Sequence, residues 1–368
     1  MSQDHGQANP SSGQGGHHVA EAWLCRSVEP VPSLRVNAAG APRRSSSLAG
    51  VRALIVTNMY PSAAAPARGS FVRDQVEALR RLPGVEVEVF AFAPGGGSPY
   101  VRAAGALRRR YRDGELDVVH AHFGLTAWPA LAVRGARHVV TLHGTDVVHP
   151  RSRLVTLAAL PFVDLIAPVS RSLASLLPPR LVGSKLAILP CGVALDRFRP
   201  IPRADARARL GLESGARYLL FPADPDRAEK RFDRARAVAQ DHRLLVLGRV
   251  PPGEVPLWVN AVDAVLVTSE RESFGLSVLE ALACDVPVLA TDVGIAPEAL
   301  ADVPGTFVGP FSIAEWRAAL EAVLRDPDPR VNGRVVAERY CADRMAERVL
   351  AAWEGLRASD GRRPSGRD

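Results

Sequence analysis

From residue 51 onward, short apolar runs rich in β-branched residues alternate with longer stretches of mixed polarity. The run Ala53-Leu54-Ile55-Val56-Thr57 is too short for a helix and predicts a buried strand, followed by a helix over 71–82, a strand over 85–92 and a basic helix over 101–111. The alternation continues with a strand over 118–122, a helix over 125–133, a strand over 139–142, a helix around 154–160 and a strand over 165–167. Residues 185–193 close this half, and Asp196-Arg197-Phe198-Arg199-Pro200 leads through a Pro-rich stretch into a second round. That round has strands over 218–221, 244–247 and 264–268, a helix over 276–284, and a further buried strand within 285–294 that ends in a glycine turn. Such βα repetition predicts parallel sheets covered on both faces, hence two doubly wound α/β halves. In such a pair the ligand belongs in the cleft, at the carboxyl ends of both sheets. A last helix over 345–356 carries Val349, Leu350 and Trp353 on one face.

Composition supports this division. A chain of 368 residues that is 47% hydrophobic is long enough for two cores. No apolar stretch approaches the roughly 20 residues of a membrane span, so a soluble protein is expected. Cys25, Cys191, Cys284 and Cys341 lie far apart with no Cys-x-x-Cys, which fits a reducing compartment and makes the cytoplasm the expected location. Residues 1–16 are rich in Gly, Ser, Gln and His and lack the basic start and apolar core of a secretory signal; the tails 1–50 and 359–368 are expected to be disordered and to carry no chemistry. A net charge of +7 admits nucleic acid, an anionic membrane surface or anionic ligands. Arginine is spread along the whole chain, so a solvated surface is the simpler reading and no nucleic-acid partner is expected. Its densest cluster, Arg102 with Arg108, Arg109, Arg110 and Arg112, is read as a solvated helix face, with docking on acidic headgroups at the inner membrane face as the alternative.

The most informative stretch is Glu272-Ser273-Phe274-Gly275-Leu276-Ser277-Val278-Leu279-Glu280. It sets two carboxylates, with seven residues between them, on either side of a glycine-containing helix start. A helix beginning near Phe274 or Gly275 aims unpaired N–H groups and a partial positive charge beyond the preceding strand, which suits a diphosphate. Two glutamates in isolation more often mean a solvated loop and an ordinary cap. Here the following strand, the glycine turn and Pro297-Glu298 complete a sugar-nucleotide pattern. The stretch resembles the Glu-any-seven-Glu motif of retaining glycosyltransferases of family 4, which have the two-domain GT-B fold. The resemblance runs from about Val51 to Leu356. It implies an acceptor-side domain over 51–198, a donor domain over 199–342 and a helix over 343–358 crossing back onto the first domain. It also implies that Glu272 binds donor-sugar hydroxyls, that Glu280 binds the ribose, and that Phe274, Gly275, Leu276 and Ser277 face the diphosphate.

Other segments follow the same resemblance. Arg68-Gly69-Ser70, after the first strand, resembles the family's glycine loop and makes Gly69 a donor-side candidate, while a serine-capped βα loop is the plainer reading of Ser70. His120 and His122 flank Ala121 at a strand end; they are read as pointing to opposite sides, with His122 toward the cleft and the sugar hydroxyls. His143 and Asp146, in Thr141-Leu142-His143-Gly144-Thr145-Asp146, are acceptor-side candidates. The family places an arginine five positions before a lysine that meets the leaving diphosphate; here Pro225 takes the arginine position, so Lys230 carries over and Arg227 stands in. Cys191 and Ala194 also depart, since the family commonly has Asn and Asp there. Asp224-Pro225-Asp226 matches an Asp-any-Asp metal motif only formally, and no obligatory metal is expected.

The expected reaction moves a sugar from a nucleoside-diphosphate sugar, the co-substrate, to a carbohydrate or lipid acceptor hydroxyl with retention. No residue stands out as a covalent nucleophile, and the resemblance implies front-face displacement in which the leaving phosphate helps deprotonate the acceptor. The segment between Lys230 and Leu244 is shorter than the family's usual length and is expected to trim one βα unit. The rivals are a degenerate GT-B binding subunit and a sugar-nucleotide epimerase of the same fold. Donor base, donor sugar and acceptor are not legible.

Overall fold

The structure, a computed structural model, describes residues 50–360 except 64, 112, 113 and 249, and the backbone alone at 359 and 360. Apart from Gly50 and residues 359 and 360 at a helix end, both tails lie outside the described residues, as does Cys25. Among the described residues, ten strands form two parallel sheets. The first has the order β2-β1-β3-β4-β5, with β1 Val51–Thr57, β2 Val85–Ala91, β3 Val118–His122, β4 Arg137–Leu142 and β5 Leu165–Pro168. The second has the order β10-β9-β8-β6-β7, with β6 Tyr218–Phe221, β7 Arg243–Val246, β8 Ala264–Val267, β9 Val288–Ala290 and β10 Phe307–Val308. Every ladder is parallel. The near-continuous apolar runs follow from this, because a strand covered by helices on both faces has no solvent side. Leu54, Ile55 and Val56 are all fully buried.

The order in which strands are added to each sheet reverses between β1 and β3 and between β6 and β8. These switch points open crevices at the strand carboxyl ends. One apolar cluster runs through both halves, from Leu54 and Val140 to Leu220 and Leu282. A second lies on the other face of the first sheet, where Met345, Val349 and Trp353 of the helix Ala342–Asp360 pack with Ala53, Ile55 and Val76. Buried Asp263 fastens the linker between the halves: it pairs with Arg203, Arg207 and Arg217 and accepts the Tyr218 N–H at 2.8 Å.

Two elements differ from the sequence expectation. The helix expected over 125–133 is a 3-10 turn at Gly124–Thr126 followed by one short helix at Ala127–Ala130. Pro129 has no N–H to continue the ladder across that join. The basic helix starts earlier, at Gly97–Arg110, with Pro99 in its first turn. The short segment after Lys230 carries one helix, Phe232–Ala239, and then β7 at the edge of the sheet beside β6.

Candidate functional site

Beyond β8, Thr268 donates its hydroxyl to the carbonyls of Lys230 and Arg231 at 3.2 and 2.9 Å, tying the loop after β6 to the end of β8. Lys230 Nζ therefore lies 2.6 Å from Glu272 Oε1, and Ser269 donates its hydroxyl to the same oxygen at 2.7 Å. The two side chains are only 14% and 10% exposed, so water screens the pair little. Both bonds fall on one carboxylate oxygen, which leaves Oε2 for a ligand. Arg227 is placed differently. Its guanidinium is held by Glu229, two residues away, at 2.6 and 3.0 Å, and it is more than half exposed. The structure does not bring Arg227 to the Lys230–Glu272 pair.

The helix Leu276–Ala283 starts at Gly275, whose φ of 88° turns the chain sharply out of the Glu272 loop. Its first N–H groups, at Leu276 and Ser277, have no intrahelical acceptor, and both residues are partly buried. Phe274 is buried, with its ring edge-on to Tyr340 at 6.4 Å; its side chain packs in the core while its backbone shapes the loop. Glu280, on the second turn, is partly buried. Burial pushes its carboxyl up to about 7, with Arg197 acting against that rise and Asp74 adding to it. Arg197 is ion-paired to Asp74, which is itself 7% exposed. A cavity of about 200 Å³ opens here, lined by Ser70 and Arg197 from the first half and by Pro222, Asp224, Gly248 and Glu280 from the second. It sits beyond the carboxyl ends of β6 and β7.

On the first half, Gly69 caps the helix Ser70–Arg80 with φ 64°, and a Cβ there would lie 2.2 Å from the Met59 carbonyl oxygen. The loop thus needs glycine to fold back on the end of β1. At the end of β3 the sequence reading is corrected: His120 and His122 point to the same side, their rings stacked with centroids 4.7 Å apart. Side chains alternate along a strand with period two, so positions i and i+2 share a face. Both rings are fully buried. His122 Nε2 lies 3.3 Å from the Gln75 amide nitrogen and Nδ1 lies 3.1 Å from His143 Nε2. The amide N–H can only donate, so Nε2 of His122 accepts and its Nδ1–H donates to His143. His120 takes the Trp353 N–H on Nδ1 and meets Thr141 Oγ1 at 2.6 Å. Burial pushes His120 and His143 down to about 3 and holds His122 well below its ordinary value, so all three rings are neutral. His143, partly buried, is the outward end of this relay.

Asp146 lies beneath that loop, fully buried, accepting the N–H groups of Gly124, His143 and Gly144. It shapes the loop from below. Gly144 faces the other half at close quarters: a Cβ there would fall 1.8 Å from Ser273 Oγ. The loop after β4 and the Glu272 loop therefore meet across the cleft. The sequence reading missed Asp74, Gln75, Arg197 and Ser269. The Asp74–Arg197 pair spans 123 residues and leaves no local pattern; Ser269, three residues before Glu272, lay within reach. Among the described residues, no cluster of His, Cys, Asp and Glu could hold a metal ion.

Comparison with known proteins places two family profiles end to end on this chain. Residues 49–197 match Glycosyltransferase Family 4 and residues 214–337 match Glycosyl transferases group 1. A D-inositol 3-phosphate glycosyltransferase of Actinosynnema mirum is 30% identical over 319 residues, covering 68% of this chain and 75% of that protein. One of Pseudarthrobacter chlorophenolicus is also 30% identical, covering 63% and 68%. Among solved structures, sucrose-phosphate synthase of Thermosynechococcus elongatus superposes with TM-score 0.65 at 19% identity, covering 84% of this chain and all of that one. Anabaena HepE in complex with UDP superposes with TM-score 0.61 at 16% identity, covering 83% of this chain and all of that one.

Proposed function

Since this chain belongs to the family 4 glycosyltransferases and has their GT-B fold, we propose that it moves a sugar from a nucleoside-diphosphate sugar to an acceptor hydroxyl with retention at the anomeric carbon. The observation that carries this reading is the cavity at Glu280. It draws on both halves, and Glu280 in its lining stands on the helix that starts at Gly275. In this reading the nucleoside lies against Glu280, which takes its ribose hydroxyls, and the diphosphate meets the N–H groups of Leu276 and Ser277. Glu272 Oε2 accepts from a sugar hydroxyl. Lys230, held by Glu272 in the absence of donor, supplies positive charge as the phosphate leaves. His143 offers its remaining N–H to a hydroxyl near the reacting carbon, and His122 orients it as a positioning residue. Gly69 lets the loop after β1 close over the phosphates. The leaving phosphate takes the acceptor proton, so no side chain acts as nucleophile and no metal is required. Closing Gly144 onto Ser273 excludes water and limits hydrolysis of the donor.

No helix among the described residues is long and apolar enough to cross a membrane, and we propose a cytoplasmic enzyme of carbohydrate biosynthesis. The test is a melting screen of the purified full chain against UDP, GDP, ADP and dTDP and their sugar conjugates, with EDTA present. A ligand that binds the native state raises its stability by mass action, by about 2.7 kcal/mol at a hundredfold excess over Kd. A selective rise with one nucleotide is the expected result. No rise with any of them, with or without added Mg²⁺, would overturn the assignment of this cavity.

A further inference from the structure

A second cavity, of about 600 Å³, opens on the first half. Its exposed surface is mostly apolar, contributed by Tyr100, Leu125, Trp128 and Val155 with the glycines at 95–97, and His149, Arg151 and Ser152 complete the lining. This volume is in the range that encloses a small organic ligand. Trp128 and Val155 remain 40% and 42% exposed, a large apolar surface to leave in water without an occupant. The indole is fixed, not loose: Trp128 Nε1 donates to the Val155 carbonyl at 3.0 Å.

Three connections join this cavity to the acceptor side of the cleft. Leu125 belongs to the turn directly after β3, and that turn is pinned to His122 by Thr126 Oγ1 donating to the His122 carbonyl at 2.8 Å. Ser152 and His149 bond the Thr145 carbonyl at 2.8 and 3.1 Å, next to the Gly144 that meets Ser273. Asn58, at the end of β1, donates its amide N–H to Tyr100 Oη at 2.8 Å. Asn58 is 5% exposed, and its Oδ1 has no hydrogen-bond partner among the described residues. An orphaned buried acceptor is costly, and this one stands behind Tyr100, which lines the cavity.

We propose that this cavity is the acceptor subsite and that the acceptor is a hydroxyl compound carried on a neutral alkyl or aryl body, the apolar part lying against Trp128 and Val155 and the hydroxyl end reaching Asn58 and His143. The inference rests on the glycosyltransferase reading and names its second substrate class. A phosphorylated polyol, the substrate class in the names of the Actinosynnema and Pseudarthrobacter relatives, would leave this wall in contact with water.

The test is calorimetric binding to the full chain of n-octyl β-D-glucoside below its micelle concentration and of 4-nitrophenyl β-D-glucoside. Methyl β-D-glucoside and D-inositol 3-phosphate serve as polar references. The octyl and nitrophenyl glucosides are expected to bind at least about tenfold tighter than the methyl glucoside, the effect of burying roughly two methylenes. Val155→Arg is expected to abolish that preference while its thermal transition stays cooperative and its response to nucleoside diphosphates is unchanged. Vesicles of phosphatidylglycerol separate the sources of such a body. Sedimentation with vesicles that V155R removes identifies a lipid acceptor, and no sedimentation identifies a free small molecule. Equal affinity for the methyl and octyl glucosides, or a preference that survives V155R, would overturn the proposal. Apolar binding without any nucleotide response would retain the cavity's chemistry and remove the glycosyltransferase reading instead.

Discussion

At Glu280, burial and neighbouring charge act on one carboxyl, and burial prevails. Its titration is raised from 4.5 to about 7, with Arg197 opposing the rise and Asp74 favouring it. Between those values the folded protein holds a proton that the unfolded chain has released. The contribution of Glu280 to stability is therefore complete below about pH 4.5 and is lost as pH rises through 7. Glu280→Gln has no such proton. The melting temperature of wild type minus that of E280Q should fall steadily between pH 4.5 and 7 and level off above; a constant difference across that window would contradict the assignment. Lys230 and Glu272 are a different case, because each compensates the charge of the other at low exposure. Glu272→Gln should cost about 1–3 kcal/mol of stability and about a hundredfold in turnover. Combining it with Lys230→Met should restore stability through the removed mismatch and leave turnover lost. Recovery of turnover in the double variant would overturn the roles proposed for both side chains.

Loops that follow strands carry this site, and their glycines decide how closely the halves approach. Gly144→Ala would set a methyl against Ser273 and hold the loop after β4 away from the Glu272 loop. Nucleotide affinity should persist, because neither Gly144 nor Ser273 lines the cavity at Glu280, while kcat should fall at least about tenfold through loss of closure. Adding Ser273→Gly removes the obstructing Cβ and Oγ, but the φ of 111° at Gly144 strains alanine in any case, so kcat should return only in part; a double variant as slow as G144A would show that backbone strain alone accounts for the loss. The strands at 118–122 and 218–221 and the helix start at Gly275 were legible in the sequence, because apolar period and a glycine before a helix are local signals. The Asp74–Arg197 pair beside Glu280 was not, since only the folded chain brings the helix Ser70–Arg80 to the linker. Arg227, proposed from its spacing as a cation for the diphosphate, is paired in the structure with Glu229, two residues on. The opposite-face reading of His120 and His122 failed on strand period alone, a rule that was available from the sequence.

Among the described residues, the chain passes between the two halves at two neighbouring crossings. Val193 donates to the Tyr340 carbonyl and accepts from the Ala342 N–H, both at 2.9 Å, so the linker out of the first half and the entry to the terminal helix are hydrogen-bonded side by side. From there the helix Ala342–Asp360 packs on the first sheet, with Trp353 fully buried and its indole N–H on His120. The stability of the first half thus depends on residues that follow the second half in sequence. Trp353→Ala removes that anchor and should cost about 3–5 kcal/mol. The loss should be confined to one half: differential scanning calorimetry of W353A should resolve an early transition from the first sheet and a later one from the second. If a nucleoside diphosphate binds at Glu280 and the Gly275 helix start as proposed, it should then raise the later transition far more than the early one. A single transition that moves as a whole with nucleotide would mean instead that the apolar cluster shared through Leu220 and Leu282 couples the halves more strongly than the terminal helix does.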